Sequence, residues 1–179
     1  MRKLKNEELG RLEVDAFKTA EKLPCVIVLD NVRSLNNIGS VFRTSDAFRI
    51  SAIYLCGITA TPPHREIHKT ALGATESVDW KYFDETTDAI QQLRQKGYRI
   101  LSVEQAEQSI APGELEIRPG EHIALVFGHE VKGVSQEVVD MSEACIEIPQ
   151  YGTKHSLNVS VSAGIVAWEI FKKFNRVFD

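Results

Sequence analysis

Hydrophobic residues along this chain come in short, nearly continuous runs separated by longer amphipathic stretches. CVIVLD (25–30), AIYLC (52–56), YRILSV (98–103), HIALVFG (122–128) and ACIEIP (144–149) have the length and apolar density of buried strands. Between them, NIGSVFRTSDAF (37–48) carries apolar positions at helical spacing, with Asn37 as the expected cap. DETTDAIQQLRQKG (84–97) has an acidic first turn, a basic last turn and a terminal glycine, the marks of a capped helix. A polar helical lead-in is expected over 3–22. A short helical stretch near 67–72 leads into SVDWKYF, a further helix begins near Ser135, and a long apolar helix over 156–175 closes the pattern.

Strands apolar on nearly every position, alternating with helices, predict an α/β fold whose mostly parallel sheet is covered by helices on both faces. In such folds sites gather in the loops at the carboxyl ends of the strands. Three of those loops hold the sharpest polar and glycine clusters: NVRSLNNIGSVFRT after the first strand, HEVKGVS after HIALVFG, and QYGTKHSLN after ACIEIP. At 179 residues and 43% hydrophobic content the chain suffices for one core. The expected division is a helical extension over 1–24 and one domain over 25–179.

Composition narrows the function classes. No window approaches the roughly 18 apolar residues of a membrane span, and the charged start MRKLKNEELGRLEVD does not read as a secretory leader, so a cytoplasmic protein is expected. Cys25, Cys56 and Cys145 each sit inside an apolar run without C-x-x-C spacing, as small core residues do. A net charge of −4 argues against general polyanion binding, yet charge is unevenly spread. Between residues 31 and 72, Arg33, Arg43, Arg49, Arg65 and Lys69 face only Asp46 and Glu66, which makes these five the candidate phosphate contacts.

Several chemistries lack their residues. G-x-G-x-x-G after a strand, G-x-x-x-x-G-K-[ST] and G-x-S-x-G are all absent. His64 and His68 in HREIH do not form H-E-x-x-H, and the prolines before them predict a loop rather than a metal site. What remains is a set of hydrogen-bonding side chains with no expected metal and no evident nucleophile. Such a set suits transfer between two bound substrates by positioning and charge stabilisation.

NNIGSVFRT (36–44), LVFGHEVKGVS (125–135) and IPQYGTKHSLNVSVSAGI (148–165) resemble, in order, the three motifs of the SpoU, or TrmH-like, RNA ribose 2'-O-methyltransferases of the SPOUT superfamily. The likeness runs from about residue 26 to 171, and the S-L-N-V-S helix start after an Ile-Pro strand end is its most specific part. The resemblance implies a deep C-terminal trefoil knot, an S-adenosylmethionine site within it, and a homodimer. Asn37, Arg43, Glu130, Ser156 and Asn158 match the family's catalytic set. Gly128, Ile148, Ser156 and Leu157 match cofactor-lining positions, with Val103 a looser match at the end of the preceding strand. Arg49 stands where the family commonly has glycine, and Gln150 where it often has methionine.

The implied function is methyl transfer from S-adenosylmethionine to an RNA ribose 2'-hydroxyl. The lead-in before Cys25 is about 24 residues long, too short for its own core, so the expected target is a compact RNA such as tRNA, ahead of rRNA. Two other readings stay open: methylation of a base instead of a ribose, and an RNA-binding or ribosome-assembly factor with little catalysis.

Overall fold

The structure, a computed structural model, describes residues 1–174. Eight residues from Leu23 to Asp30, all but one buried, form β1 near the centre of a six-stranded sheet. The other strands are β2 (Ile50–Cys56), β3 (Trp80–Phe83), β4 (Tyr98–Val103), β5 (His122–Phe127) and β6 (Ala144–Ile146). Their order across the sheet is β3-β2-β1-β5-β4-β6, and every pairing is parallel. The helices are α1 (Val14–Thr19), α2 (Leu35–Ala47), α3 (Arg65–Ala71), α4 (Ala74–Ser77), α5 (Thr86–Gln95), α6 (Gln136–Asp140) and α7 (Val159–Phe174).

Strand alternation divides the core in two. Cys25, Ile27 and Leu29 of β1 point into a cluster completed by Ile38, Phe42, Ile67, Val166 and Ile170 from α2, α3 and α7. Val26 and Val28 point the other way, toward Ala89, Ile90 and Leu93 of α5 and Val138 of α6. Helices therefore cover both faces, as the apolar runs predict. The three cysteines are free and buried, and loss of solvent pushes the Cys25 and Cys56 thiols up to about 12.

Polar side chains fix the carboxyl ends of the strands. Buried Asp30 accepts from Thr86 Oγ1 (2.6 Å), Asn31 Nδ2 (2.9 Å) and the Ser135 N–H (3.0 Å), which ties the end of β1 to the starts of α5 and α6. Thr59, also buried, accepts from the Val32 N–H and donates to the Leu29 carbonyl, anchoring the loop after β2 to the same place.

Several boundaries differ from those the sequence pattern predicts. The lead-in is a 3-10 turn at Asn6–Leu9 followed by the six-residue α1, not a continuous helix over 3–22; Gly10 at φ 58 interrupts it. SVDWKYF contains an edge strand, β3, which its polar content hides. The helix expected near 67–72 is α3, but it begins earlier, at Arg65, so HREIH is helical rather than looped: the His64 ring nitrogen accepts from the Glu66 N–H and starts α3 directly after the prolines. Ser34, not Asn37, caps α2. The closing helix begins at Val159 instead of Ser156, and its expected last residue, Asn175, lies outside the described residues. The α2–β2 turn keeps a left-handed residue at Arg49 (φ 49), where the resembling family commonly has glycine.

The glycine of NNIGSVFRT has a packing role. A Cβ on Gly39 would overlap Thr70 Oγ1 and the Ile67 carbonyl of α3. Gly39→Ala must push α2 and α3 apart, so the variant should lose about 1–3 kcal/mol of stability, read from urea unfolding midpoints. An unchanged midpoint would mean that α3 moves without cost.

Candidate active site

β1 and β5 are neighbours in the sheet, but the chain leaves β1 toward β2 and leaves β5 toward β6, on the opposite side. Loops therefore diverge at their carboxyl ends and leave a crevice, as at other switch points of parallel sheets. The loops after β1, β5 and β6, which carry the three polar clusters of the sequence, meet there.

One carboxylate joins them. Glu130, in the loop after β5, accepts from the Arg33 N–H (3.0 Å) through one oxygen, and from the Ser34 N–H (2.8 Å) and Asn37 Nδ2 (3.0 Å) through the other. Asn37 Oδ1 in turn accepts from Asn158 Nδ2 at 3.1 Å. Asn158 Oδ1 then faces the start of α7, accepting from the Ser160 N–H (2.9 Å), Ser160 Oγ (2.6 Å) and the Val161 N–H (3.4 Å). Asn158 is thus the cap of α7, in the position where a side-chain oxygen satisfies otherwise unpaired N–H groups.

Burial pushes the Glu130 carboxyl upward, but the N–H groups of Arg33, Ser34 and Glu130 itself, with the Asn37 amide, together outweigh it and hold the group below its ordinary value of 4.5. It is therefore a carboxylate near neutrality, suited to accept hydrogen bonds and not to donate a proton.

Behind this chain of bonds lies a pocket of about 530 Å³. Val103, Gly128, Ile148, Ser156 and Leu157, the five candidate cofactor contacts, all line it, together with Glu130 and Asn158. Phe127, Ile146 and Val159 add apolar wall, and Glu104, Glu147 and Lys132 add charge. Ser156 stands in the exposed loop ahead of α7 rather than in its first turn. Gly128 is required by the loop's own geometry: a Cβ there would overlap the backbone of Gly133 and Val134, where His129 and Gly133 exchange two hydrogen bonds.

Sequence reasoning missed Glu104. Its carboxylate accepts from the Val134 N–H (2.8 Å) and the Gln105 N–H (2.9 Å), and Gly133, at φ 69, packs against it. An acidic residue closing an apolar run was the available signal, and Asp30 gives the same signal at the end of β1.

The five candidate RNA contacts divide. Arg33 borders a second cavity beside Glu130. Arg43 does not line the main pocket; with Lys69, Thr70 and Gly164 it borders a third cavity between α2, α3 and α7. Asn37 and Arg43 are six residues apart, about 9 Å along the helix, which explains why only Asn37 reaches the crevice. Arg49 is half-buried at its turn and Arg65 is exposed on α3. Among the described residues no group of three or more His, Cys, Asp or Glu side chains could hold a metal ion, and no helix is long and apolar enough to cross a membrane.

The depressed Glu130 ionisation has a stability consequence. A carboxyl held below its ordinary value contributes stability that is present above about pH 4.5 and lost as pH falls through the lower folded value. Glu130→Gln should be less stable than the parent near neutrality, and the gap should narrow as unfolding is followed from about pH 6 to about pH 3.5. A constant gap across that range would show that the charge on Glu130 contributes nothing.

Comparison with known proteins gives the family. The model of the SpoU rRNA methylase family matches residues 24–168. A Staphylococcus saprophyticus protein named for the TrmH family of tRNA/rRNA methyltransferases is 30% identical over 171 residues, spanning 93% of this chain and 68% of its own length. The tRNA (guanosine(18)-2'-O)-methyltransferase of Aquifex aeolicus is 30% identical over 148 residues, which cover 80% of this chain and 67% of that protein. Among solved structures, an AdoMet-bound rRNA methyltransferase from Sinorhizobium meliloti superposes with a TM-score of 0.78 at 26% identity, over 89% of this chain and 59% of that one. The chain thus spans about two thirds of the length of the curated relatives, and it belongs to the SpoU methylase family.

Proposed function

We propose that the protein transfers a methyl group from S-adenosylmethionine to a ribose 2'-hydroxyl of RNA, with tRNA favoured over rRNA. The observation that carries this reading is the Glu130–Asn37–Asn158 chain, which brings all three polar loops to the rim of one pocket. The Aquifex relative supports ribose and tRNA by its name, and the AdoMet-bound neighbour supports the cofactor.

The pocket fits such a cofactor on its own chemistry. Its volume falls within the range of small-molecule sites, about 300–1,000 Å³. Apolar walls at Val103, Phe127, Ile148 and Leu157 suit an adenine ring, and the carboxylates of Glu104, Glu130 and Glu147 suit a molecule carrying sulfonium and ammonium charge. When bound, S-adenosylmethionine supplies an electrophilic methyl group whose leaving group becomes a neutral thioether. The chain's own residues supply position and charge. Glu130 holds the loop after β5 against the start of α2, Asn37 and Asn158 hold the start of α7 against both, and Ser156 faces the ligand from the loop between β6 and α7. A guanidinium is a poor proton acceptor, so the role of Arg43 is to bind phosphate and stabilise negative charge on the 2'-oxygen rather than to act as a base.

The reading extends to a homodimer and to a knotted C-terminal segment. Val161, Ile165 and Trp168, spaced i, i+4 and i+7 on α7, are exposed, and Trp168 packs against Phe48 at the end of α2. An apolar helical stripe of this kind suits a second copy. Since Arg43 lies outside its own chain's pocket and shares a cavity with Gly164 of α7, dimerisation is what would bring it to a reacting ribose. The knotted reading requires the 104–121 connection to lie against the C-terminal segment, and it does so at two places: Ile110 bridges Ile146, and Lys173 Nζ donates to the Gly113 carbonyl.

Incubation with labelled S-adenosylmethionine and unmodified tRNA or rRNA, followed by digestion to nucleosides, tests the reaction. Label is expected in a 2'-O-methylnucleoside from tRNA. Label in a nucleobase would replace ribose by base methylation, and cofactor binding without label in either pool would favour an RNA-binding factor. Arg43→Ala should abolish transfer while S-adenosylmethionine affinity stays nearly unchanged; a strong loss of cofactor binding in a still-dimeric variant would refute its assigned role. Trp168→Glu should convert the dimer to monomer in sedimentation, and a parent that sediments as a monomer would remove the dimer from the reading.

A further inference from the structure

A second cavity, of about 400 Å³, opens between the start of α2, the start of α3 and the loop after β5. It shares His129, Glu130 and Val131 with the main pocket. A ligand placed across both would have its junction at Glu130, beside Asn37.

Three residues on the wall of this cavity have their backbone held by hydrogen bonds and side-chain hydrogen-bonding capacity to spare. Arg33 donates its backbone N–H to Glu130, but its guanidinium bonds to no other described residue. Asn36 offers its carbonyl to Ser40 Oγ and Thr70 Oγ1, while its side-chain amide is unengaged among the described residues. Glu66 is fixed at the start of α3 by its N–H bond to His64 Nδ1 (3.2 Å). Its carboxylate meets only Lys69, at 3.8 Å across an exposed pair, and such pairs contribute little.

We propose that this second cavity seats the base of the nucleotide to be methylated and that Glu66 selects guanine; the proposal rests on the RNA methyl-transfer reading above. An ionised carboxylate only accepts hydrogen bonds. Guanine presents N1–H and the 2-amino group side by side, so both carboxylate oxygens find donors. Adenine and cytosine each place a ring-nitrogen acceptor beside their single amino group, and uracil flanks its one N–H with two carbonyls, so each sets a lone pair against the carboxylate. The Asn36 amide can meet the guanine O6, which neighbours N1. Arg33, planar and always charged, is suited to an adjoining phosphate. A base pulled out of its stack and read on its Watson–Crick edge is the usual mode of single-stranded RNA recognition.

Calorimetric titration of the parent chain, Glu66→Gln and Arg33→Ala with guanosine, inosine, adenosine, cytidine and uridine 5'-monophosphates tests the site. The parent should bind guanylate about tenfold more tightly than the adenine, cytosine and uracil nucleotides, the discrimination a good bidentate contact gives. Inosine, which lacks the 2-amino group, should rank second. Glu66→Gln should erase the preference, and Arg33→Ala should weaken all five in parallel. Equal affinities, no detectable binding of any nucleotide, or a guanylate preference that survives Glu66→Gln would overturn the proposal. A ribose-methylated product other than 2'-O-methylguanosine, formed by a chain with no guanylate preference, would remove the base assignment and leave the methyl-transfer reading standing. Guanylate preference without methyl transfer to any ribose would do the reverse.

Discussion

The site depends on one group that can only accept. Glu130, ionised, fixes the direction of every bond that follows from it. Because its oxygens cannot donate, Asn37 must present its Nδ2 to Glu130 and its Oδ1 to Asn158. Asn158 must then present Nδ2 to Asn37, which leaves its Oδ1 for the N–H groups that open α7. A carboxylate after β5 thereby sets the amide orientations in the first turn of α2 and in the loop before α7, and completes a helix cap 28 residues away in sequence. Reversing either amide would put like groups in contact and leave the α7 cap unmade, with buried Asn37 the member least able to turn to water instead.

That chain of bonds works only because the sheet delivers its three loops to one place. The parallel order puts β1 beside β5, and the connection after β6 returns from the far edge to α2. Two close backbone approaches tighten the arrangement. Gly39 lets α3 sit against α2, and Gly128 lets the loop after β5 fold onto itself through His129 and Gly133. In both motifs the glycine and the polar residues have different tasks: one permits proximity, the others use it.

The strands were legible in the sequence because a strand buried on both faces is apolar at nearly every position, as in CVIVLD and HIALVFG. Edge strand β3, with Lys81 and Tyr82 exposed, carries no such signature and was invisible to pattern alone. Cap assignments failed where two capping residues compete within one turn. Ser34 and Asn37 are both good caps, and the deciding fact, that Asn37 is needed by Glu130 across 93 residues, is tertiary. Gly128, Ile148, Ser156 and Leu157, which motif resemblance names as cofactor-lining, and the looser match Val103 all line one pocket, while Glu104, which carries no motif, appeared only with the fold. Arg43 shows the opposite limit: its motif position is clear, but helical rise carries it away from the crevice that Asn37 reaches.

The uneven charge along the sequence acquires a spatial meaning. Main-pocket walls carry Glu104, Glu130 and Glu147 against a single lysine, Lys132, whereas Arg33, Arg43 and Lys69 stand on the α2–α3 side, outside that pocket, with Glu66 the acidic residue among them. A cationic cofactor and a polyanionic RNA, the two ligands proposed, require opposite potentials within about one Debye length, roughly 8–10 Å, of each other. Uniform charge of either sign would favour one ligand and repel the other. Segregation onto two walls, divided by a carboxylate whose own hydrogen bonds hold it ionised, lets each ligand meet its complement. A net charge of −4 is the sum of these walls and of the acidic remainder of the surface, so the total conceals the local pattern.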